Sequence, residues 1–260
     1  MRGRRCITRY SLRILRRLVA VTTNHGMETL THVETQDPVA ALTFDDGPHP
    51  EYTPRLLQIL EKYQARATFF MVGEAVNRYP GVVQRVAAGG HVIGNHSWDH
   101  PSFPLISGRE RRMQIRACAR AIAPYGQRLF RPPYLHQSAA SRFDALRLGY
   151  LVVAGSVFSQ DWSPLDADAL ADGIAARIQP GSIVMLHDAI YRSVQAQPQD
   201  NREPMLAALD MVLGRLGRRF RFLPIPELLR CGRPQWQYWT QWPEAGILPR
   251  LQTHPAVRRG

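Results

Sequence analysis

The chain has 260 residues, 45% apolar and 21% charged, which suits one large domain with a full core and excludes wholesale disorder. Its formal net charge is +12, but a single lysine, Lys62, stands among 33 basic residues. That arginine bias, beside many alanines, reads as a GC-rich genome rather than a phosphate-binding surface, so nucleic acid is set aside as a partner.

Arg2, Arg4, Arg5, Arg9, Arg13, Arg16 and Arg17 precede the first acidic residue, Glu28. The apolar run after them is too short and too interrupted for the h-region of a signal peptide. Residues 1–35 are therefore expected to be a disordered basic leader outside the fold, with Met27 as an alternative start. Peripheral membrane contact is the partner such a leader would suit, and the expected location is the cytoplasm or the membrane periphery. Cys6, Cys118 and Cys231 lack paired spacing and read as free thiols, neither a disulfide framework nor a thiolate zinc site.

Apolar periodicity then predicts a strand at 39–44, a helix at 52–63 that buries Leu56, Leu57, Ile59 and Leu60, and a strand at 67–72. A helix at 81–88 and a short strand at 91–94 follow. Beyond them come a helix at 109–123, a strand at 128–130, a helix at 141–148 and a strand at 150–157. The last elements are a helix at 166–178, a strand at 182–186, a helix at 205–216 and a strand at 220–223. Strand–helix alternation of this kind calls for a parallel sheet with helices outside it. About seven strands without a Gly-x-Gly-x-x-Gly turn favour a barrel, so the expected class is α/β, a distorted (β/α)7 barrel in a single domain spanning 36–230. Residues 231–260, rich in Trp and Pro, are expected to pack on the barrel as an irregular tail.

Polar residues recur where strands end: Asp45 and Asp46, then His96 and His100 in "NHSWDH", Arg131 and Tyr134 in "RPPY", Asp161 and Trp162 in "QDW", and His187 in "VMLHD". In a parallel barrel these ends share one rim, where barrel enzymes keep their active sites. His-x-x-x-His sets two imidazoles one turn apart, and with one carboxylate they form an open facial set that suits catalytic zinc or iron. Of the two aspartates, one then binds metal while the other stays free as a base. His49, His91, Asp99, His136 and Asp188 are read as loop or supporting residues.

"TFDDGP", "HSWDH", "RPPY", "DW" and "MLH", in that order, resemble the polysaccharide deacetylases that share the NodB homology domain, carbohydrate esterase family four. The resemblance covers about residues 38–225. It implies a divalent metal, usually zinc, and hydrolysis of N-acetyl groups from sugar polymers or oligomers. By the same resemblance Asp46, His96 and His100 would bind the metal and Asp45, oriented by Arg131, would be the general base. The Tyr134 backbone N–H would help stabilise the oxyanion. His187, held by Asp161, would be the general acid, and Trp162 would wall the site.

Three positions depart from the family pattern: Phe158 replaces a frequent acidic residue, Met185 a leucine, and Leu135 a glycine. The expected substrate is a chitooligosaccharide or related N-acetylglucosamine polymer, with peptidoglycan as the alternative. A non-catalytic carbohydrate binder is disfavoured, since binding needs neither a base nor an acid. The tail aromatics Trp236, Tyr238, Trp239 and Trp242 could stack on sugars or simply anchor the tail. Oligomeric state has no sequence signal.

Overall fold

In the computed structural model, which describes residues 27–191 and 201–258, the chain winds around one parallel sheet. The strands are β1 (Thr29–Glu34), β2 (Val39–Asp45), β3 (Ala67–Met71), β4 (Val92–Asn95), β5 (Gly126–Phe130), β6 (Leu151–Val152), β7 (Val157–Phe158), β8 (Ile183–His187), β9 (Arg221–Phe222) and β10 (Arg233–Gln237). The longer helices are α1 (Tyr52–Lys62), α2 (Gly73–Arg78), α3 (Pro80–Ala88), α4 (Gly108–Ala121), α5 (Ala139–Arg147), α6 (Ala167–Ala175) and α7 (Glu203–Leu216). Short helix α2 has no counterpart in the expected elements, because Gly73, Asn77 and the adjoining Tyr79-Pro80 interrupt the apolar period. Among the described residues no helix is long and apolar enough to cross a membrane.

The strand order is β6-β5-β4-β3-β2-β8-β7, parallel throughout, with β9 pairing beside β2. β6 and β7 lie at opposite ends of this path yet are joined by residues 153–156 alone. The chain from Val152 to Val157 reaches at most ~18 Å, whereas a flat sheet would hold the two edges ~29 Å apart. The sheet must therefore curl, and the fold is a distorted seven-stranded barrel. Residues 150–157, expected as one strand, instead break into two. Between them the Ala154 N–H donates to the Leu30 carbonyl at 2.8 Å, and the Ser156 N–H to the Ile183 carbonyl at 2.9 Å.

The alternation of the strands builds two cores. Leu42, Phe44, Phe69, Val184 and Leu186 face outward and pack with Leu56 and Leu60 of α1 and Leu209 and Val212 of α7. Ala41, Phe70, Leu129, Leu151 and Ile183 face inward and pack with Leu30 and Val33 of β1. The expected boundary near residue 35 thus falls too late. β1 pairs with β10 and its Leu30 and Val33 are fully buried, so both belong to the fold. The arginine-rich stretch through residue 26 lies outside the described residues.

Leu30→Ala should cost about 2–5 kcal/mol of stability, the usual range for a buried leucine truncation. Urea unfolding would check this, and a loss under ~0.5 kcal/mol, typical of surface positions, would return β1 to the leader.

Candidate active site

The inward rows of the strands turn polar as they rise. On β2 the row is Ala41, Thr43, Asp45; on β8 it is Ile183, Met185, His187; and the register sets Asp45 beside His187. Asp46, next in sequence, would point outward if the strand continued. Its φ of 76° breaks the alternation. Asp adopts this left-handed conformation more readily than most residues, and both carboxylates thereby reach one rim. Gly47 follows because nothing larger fits. A Cβ there would lie 2.2 Å from an oxygen of buried Asp188, whose carboxyl is pushed up to about 7, chiefly by burial.

Asp46, His96 and His100 are buried, with one ligand atom each within 4.8 Å of the others. Asp46 Oδ1 stands 3.3 Å from His96 Nε2 and 3.0 Å from His100 Nε2. No hydrogen-bond donor satisfies that oxygen. His96 Nδ1 lies 2.7 Å from the Arg131 carbonyl, which can only accept, so Nδ1 carries the proton and Nε2 the lone pair. Burial, opposed by Asp46, pushes the His100 imidazole down. It works against the Asp46 carboxylate too, but His100 and then His96 outweigh it and hold that carboxyl well below its ordinary range. Neutral imidazoles and an ionised carboxylate are the states a divalent cation requires.

The two histidines are not one helical turn apart, as the spacing suggested. Residues 96–100 form a loop with φ of 70° at Ser97 and 63° at His100. Side chains supply the hydrogen bonds a helix would have made. The Asn95 carboxamide donates to the Ile115 carbonyl at 2.8 Å and accepts from the Ser97 N–H at 2.9 Å. Gln114 accepts from the N–H groups of Trp98 and Asp99, and Ser97 Oγ from that of His100.

Asp45 is held separately. The guanidinium of Arg131, fully buried, donates to Asp45 Oδ1 and Thr43 Oγ1, each at 2.7 Å, and to the Ala154 carbonyl at 2.6 Å. On the other side of Asp45, His187 Nδ1 donates to Asp161 Oδ1 at 2.8 Å, while the His187 N–H reaches Asp161 Oδ2 at 2.9 Å. Trp162 meets the His187 ring edge-on at 5.3 Å. Tyr134, at φ 58°, packs its ring 4.5 Å from that of His100.

The rim also holds residues that the motifs did not single out. Arg202, buried, donates to Asp161 Oδ2 at 3.3 Å from well beyond the end of β8, and no local pattern marks it. The Tyr191 N–H donates to Asp46 Oδ2 at 2.9 Å, and its hydroxyl bonds Glu74. His49 accepts from the N–H groups of Glu51 and Tyr52 at the start of α1, and His136 stacks on Tyr134, whereas His91, at the opposite end of the barrel, accepts from the Ala67 N–H. Asp99 faces His254.

A sequence model described as polysaccharide deacetylase matches residues 32–153. A chitooligosaccharide deacetylase of Azorhizobium caulinodans is 36% identical over 192 residues, 71% of this chain and 91% of that protein. The chain belongs to the polysaccharide deacetylase family. Among solved structures, a peptidoglycan N-acetylglucosamine deacetylase superposes with a TM-score of 0.70 at 29% identity, covering 79% of this chain and 94% of that one. A CE4 family pseudoenzyme from Bacillus anthracis superposes with a TM-score of 0.72 at 25% identity, covering 81% and 72%. A deacetylase barrel alone therefore does not decide activity; the residues at its rim must.

Arg131→Met leaves Asp45 buried without its counter-charge and should destabilise by about 3–5 kcal/mol. Adding Asp45→Asn should recover part of that loss, since it removes the orphaned charge. Chemical unfolding of the three variants would check this, and fully additive losses would count against the pairing.

Proposed function

We propose that this protein hydrolyses N-acetyl groups from N-acetylglucosamine-containing oligo- or polysaccharides, as a chitooligosaccharide-type deacetylase dependent on a divalent metal, most simply zinc. One observation carries the reading: Asp45 and His187, neighbours in register, flank the Asp46–His96–His100 cluster with opposite protonation roles available to them. Those three residues would hold the metal. Two imidazoles and a carboxylate leave coordination positions open, as catalytic zinc sites do. A cation bound there supplies Lewis acidity to the acyl carbonyl and lowers the pKa of water.

The chain's own residues then have distinct tasks. Asp45, fixed by Arg131 as an acceptor, takes a proton from the attacking water as the oxygen bonds to the acyl carbon. The backbone N–H of Tyr134 is assigned to the oxyanion. His187 gives its Nε2 proton to the amide nitrogen as the C–N bond breaks, releasing a free amine and acetic acid, which gives its proton to solvent and leaves as acetate. Asp45 has gained one proton and His187 has lost one, so exchange with solvent resets the pair. Burial disfavours the imidazolium, but Asp161 foremost, with Asp46 and Asp45, pushes His187 up to about 9, so the acid is charged at neutral pH.

Chitin-type oligomers are favoured by the likeness to the rhizobial relative, and peptidoglycan N-acetylglucosamine by the structural neighbour named for it. A purely binding role would need neither Asp45 nor His187.

Mass spectrometry of N-acetylglucosamine oligomers incubated with metal-stripped, zinc-restored and Asp45→Asn protein tests the proposal. With zinc-restored enzyme the oligomers should lose acetyl groups, about 42 Da per sugar attacked, and Asp45→Asn should be slower by ~10²–10⁴. No acetyl loss from zinc-loaded enzyme on chitin oligomers or peptidoglycan fragments would sink the reading.

The pH profile offers a second check. Because Asp161 raises the His187 pKa, Asp161→Asn should move the alkaline limb of kcat/KM to lower pH. An unmoved limb would assign it to another group.

A further inference from the structure

The loop that carries His100 is pinned partly from a distance. Its carbonyls at Ser97 and Trp98 accept from the first N–H groups of α2, those of Gly73 and Glu74, each at 2.9 Å. The next carbonyl, that of Asp99, has a different partner: His254 Nε2, 2.8 Å away in the C-terminal tail. A second contact settles the tautomer. His254 Nδ1 lies 3.1 Å from the Ala256 backbone nitrogen, whose N–H can only donate, so Nδ1 carries the lone pair and Nε2 the proton. The Asp99 carboxylate stays 3.7 Å from Nε2, and the hydrogen bond goes to the main chain.

The Asp99 carbonyl and the His100 N–H belong to one peptide plane. That N–H donates to Ser97 Oγ at 3.1 Å, so the plane is held at both ends, once by its own loop and once by the tail. Turning the plane changes φ of His100, which stands at 63° while the imidazole Nε2 meets Asp46 at 3.0 Å. A left-handed φ persists only where surrounding contacts enforce it. The tail is a firm anchor for such a contact, because Ala256 is fully buried among Phe103, Ile106 and Phe130. The family motifs do not foreshadow this arrangement, since the matching sequence model ends at residue 153.

We propose that His254 is a positioning residue for His100, so that the C-terminal tail tightens metal binding at a site otherwise built from the barrel. This rests on the reading of Asp46, His96 and His100 as a metal-binding set. Contacts that orient ligands from outside the coordination sphere are worth ~10–100-fold in metal affinity.

Two substitutions separate this contact from tail packing. His254→Asn puts an amide oxygen near the place of Nδ1 and still accepts from the Ala256 N–H, but it is too short to reach Asp99. His254→Gln carries an amide N–H out to the place of Nε2, keeping the bond to Asp99 while giving up the one to Ala256. The zinc Kd of each full-length protein is measured by competition with a chromophoric chelator, below the lowest thermal midpoint of the metal-free set. His254→Asn should raise Kd by about 10-fold or more and His254→Gln by much less, whatever the order of their midpoints. Zinc binding as tight as wild type in the Asn variant, or equally weakened in both variants, would overturn the proposal and leave His254 a tail anchor. A wild type that takes up no zinc, or whose zinc affinity survives His100→Ala, would instead overturn the metal reading itself.

Discussion

The guanidinium of Arg131 has no exposed surface, and a cation so placed is tolerable only when its charge is balanced; both terminal nitrogens donate to protein acceptors, while Nε has none. The partners come from separate parts of the barrel. Thr43 and Asp45 belong to β2, the Ala154 carbonyl to the link between β6 and β7, and Phe70 of β3 presents its ring 4.2 Å from the guanidinium carbon. Phe70 keeps its place because Gly94 of β4 has no Cβ, which would lie 2.7 Å from the ring. The Arg131 carbonyl, meanwhile, fixes the tautomer of His96. One buried cation thus aligns the proposed base and a candidate metal ligand at once, so closing the barrel also builds the site.

Below that cation the barrel interior is apolar. Ala41, Leu129, Leu151 and Ile183 fill it, and Leu30 and Val33 close its lower end. The charged groups consequently stand on a dry floor, where interactions between them are stronger than in water and an unpaired one is costlier. Each rim charge has its own partner: Asp45 with Arg131, Asp161 with His187 and Arg202, Asp46 with the two histidines. Backbone strain collects in the same layer. Asp46, Ser97, His100, Tyr134, Leu135 and Gln160 all have positive φ, and all lie in loops that follow strand ends. Such conformations persist only where surrounding contacts enforce them, and here those contacts aim side chains into the cleft.

Much of this was legible in the sequence because strand alternation has a period of two and the polar residues fall where apolar runs stop. That logic located Asp45, Arg131, Asp161 and His187 on one rim before any coordinates. It could not foresee the loop at 96–100, since His-x-x-x-His also fits a helix and the difference lies in Asn95, Ser97 and Gln114 replacing helical hydrogen bonds. Nor could it split 150–157, because the break is imposed by sheet closure rather than by local propensity. β1 was hidden behind a run of arginines, and four of its six residues are polar. Arg202 lies in no motif at all; only packing brings it to the site.

The adjacent aspartates illustrate why the backbone, and not the residue types alone, assigns roles. Two neighbouring carboxylates in a buried rim repel, and each needs a positive partner. In an unbroken strand they would face opposite sides, and one would be lost among the helices. The left-handed turn at Asp46 keeps both in the cleft but rotates them toward different partners. Asp45 meets a guanidinium that cannot leave, because Arg131 is anchored at three other points. Asp46 meets two imidazoles, which can be neutral, so its negative charge stays available to a cation. Permanent pairing suits one carboxylate to the proposed role of positioned base, and incomplete pairing suits its neighbour to that of a ligand. The division of labour follows from one φ angle between two identical side chains.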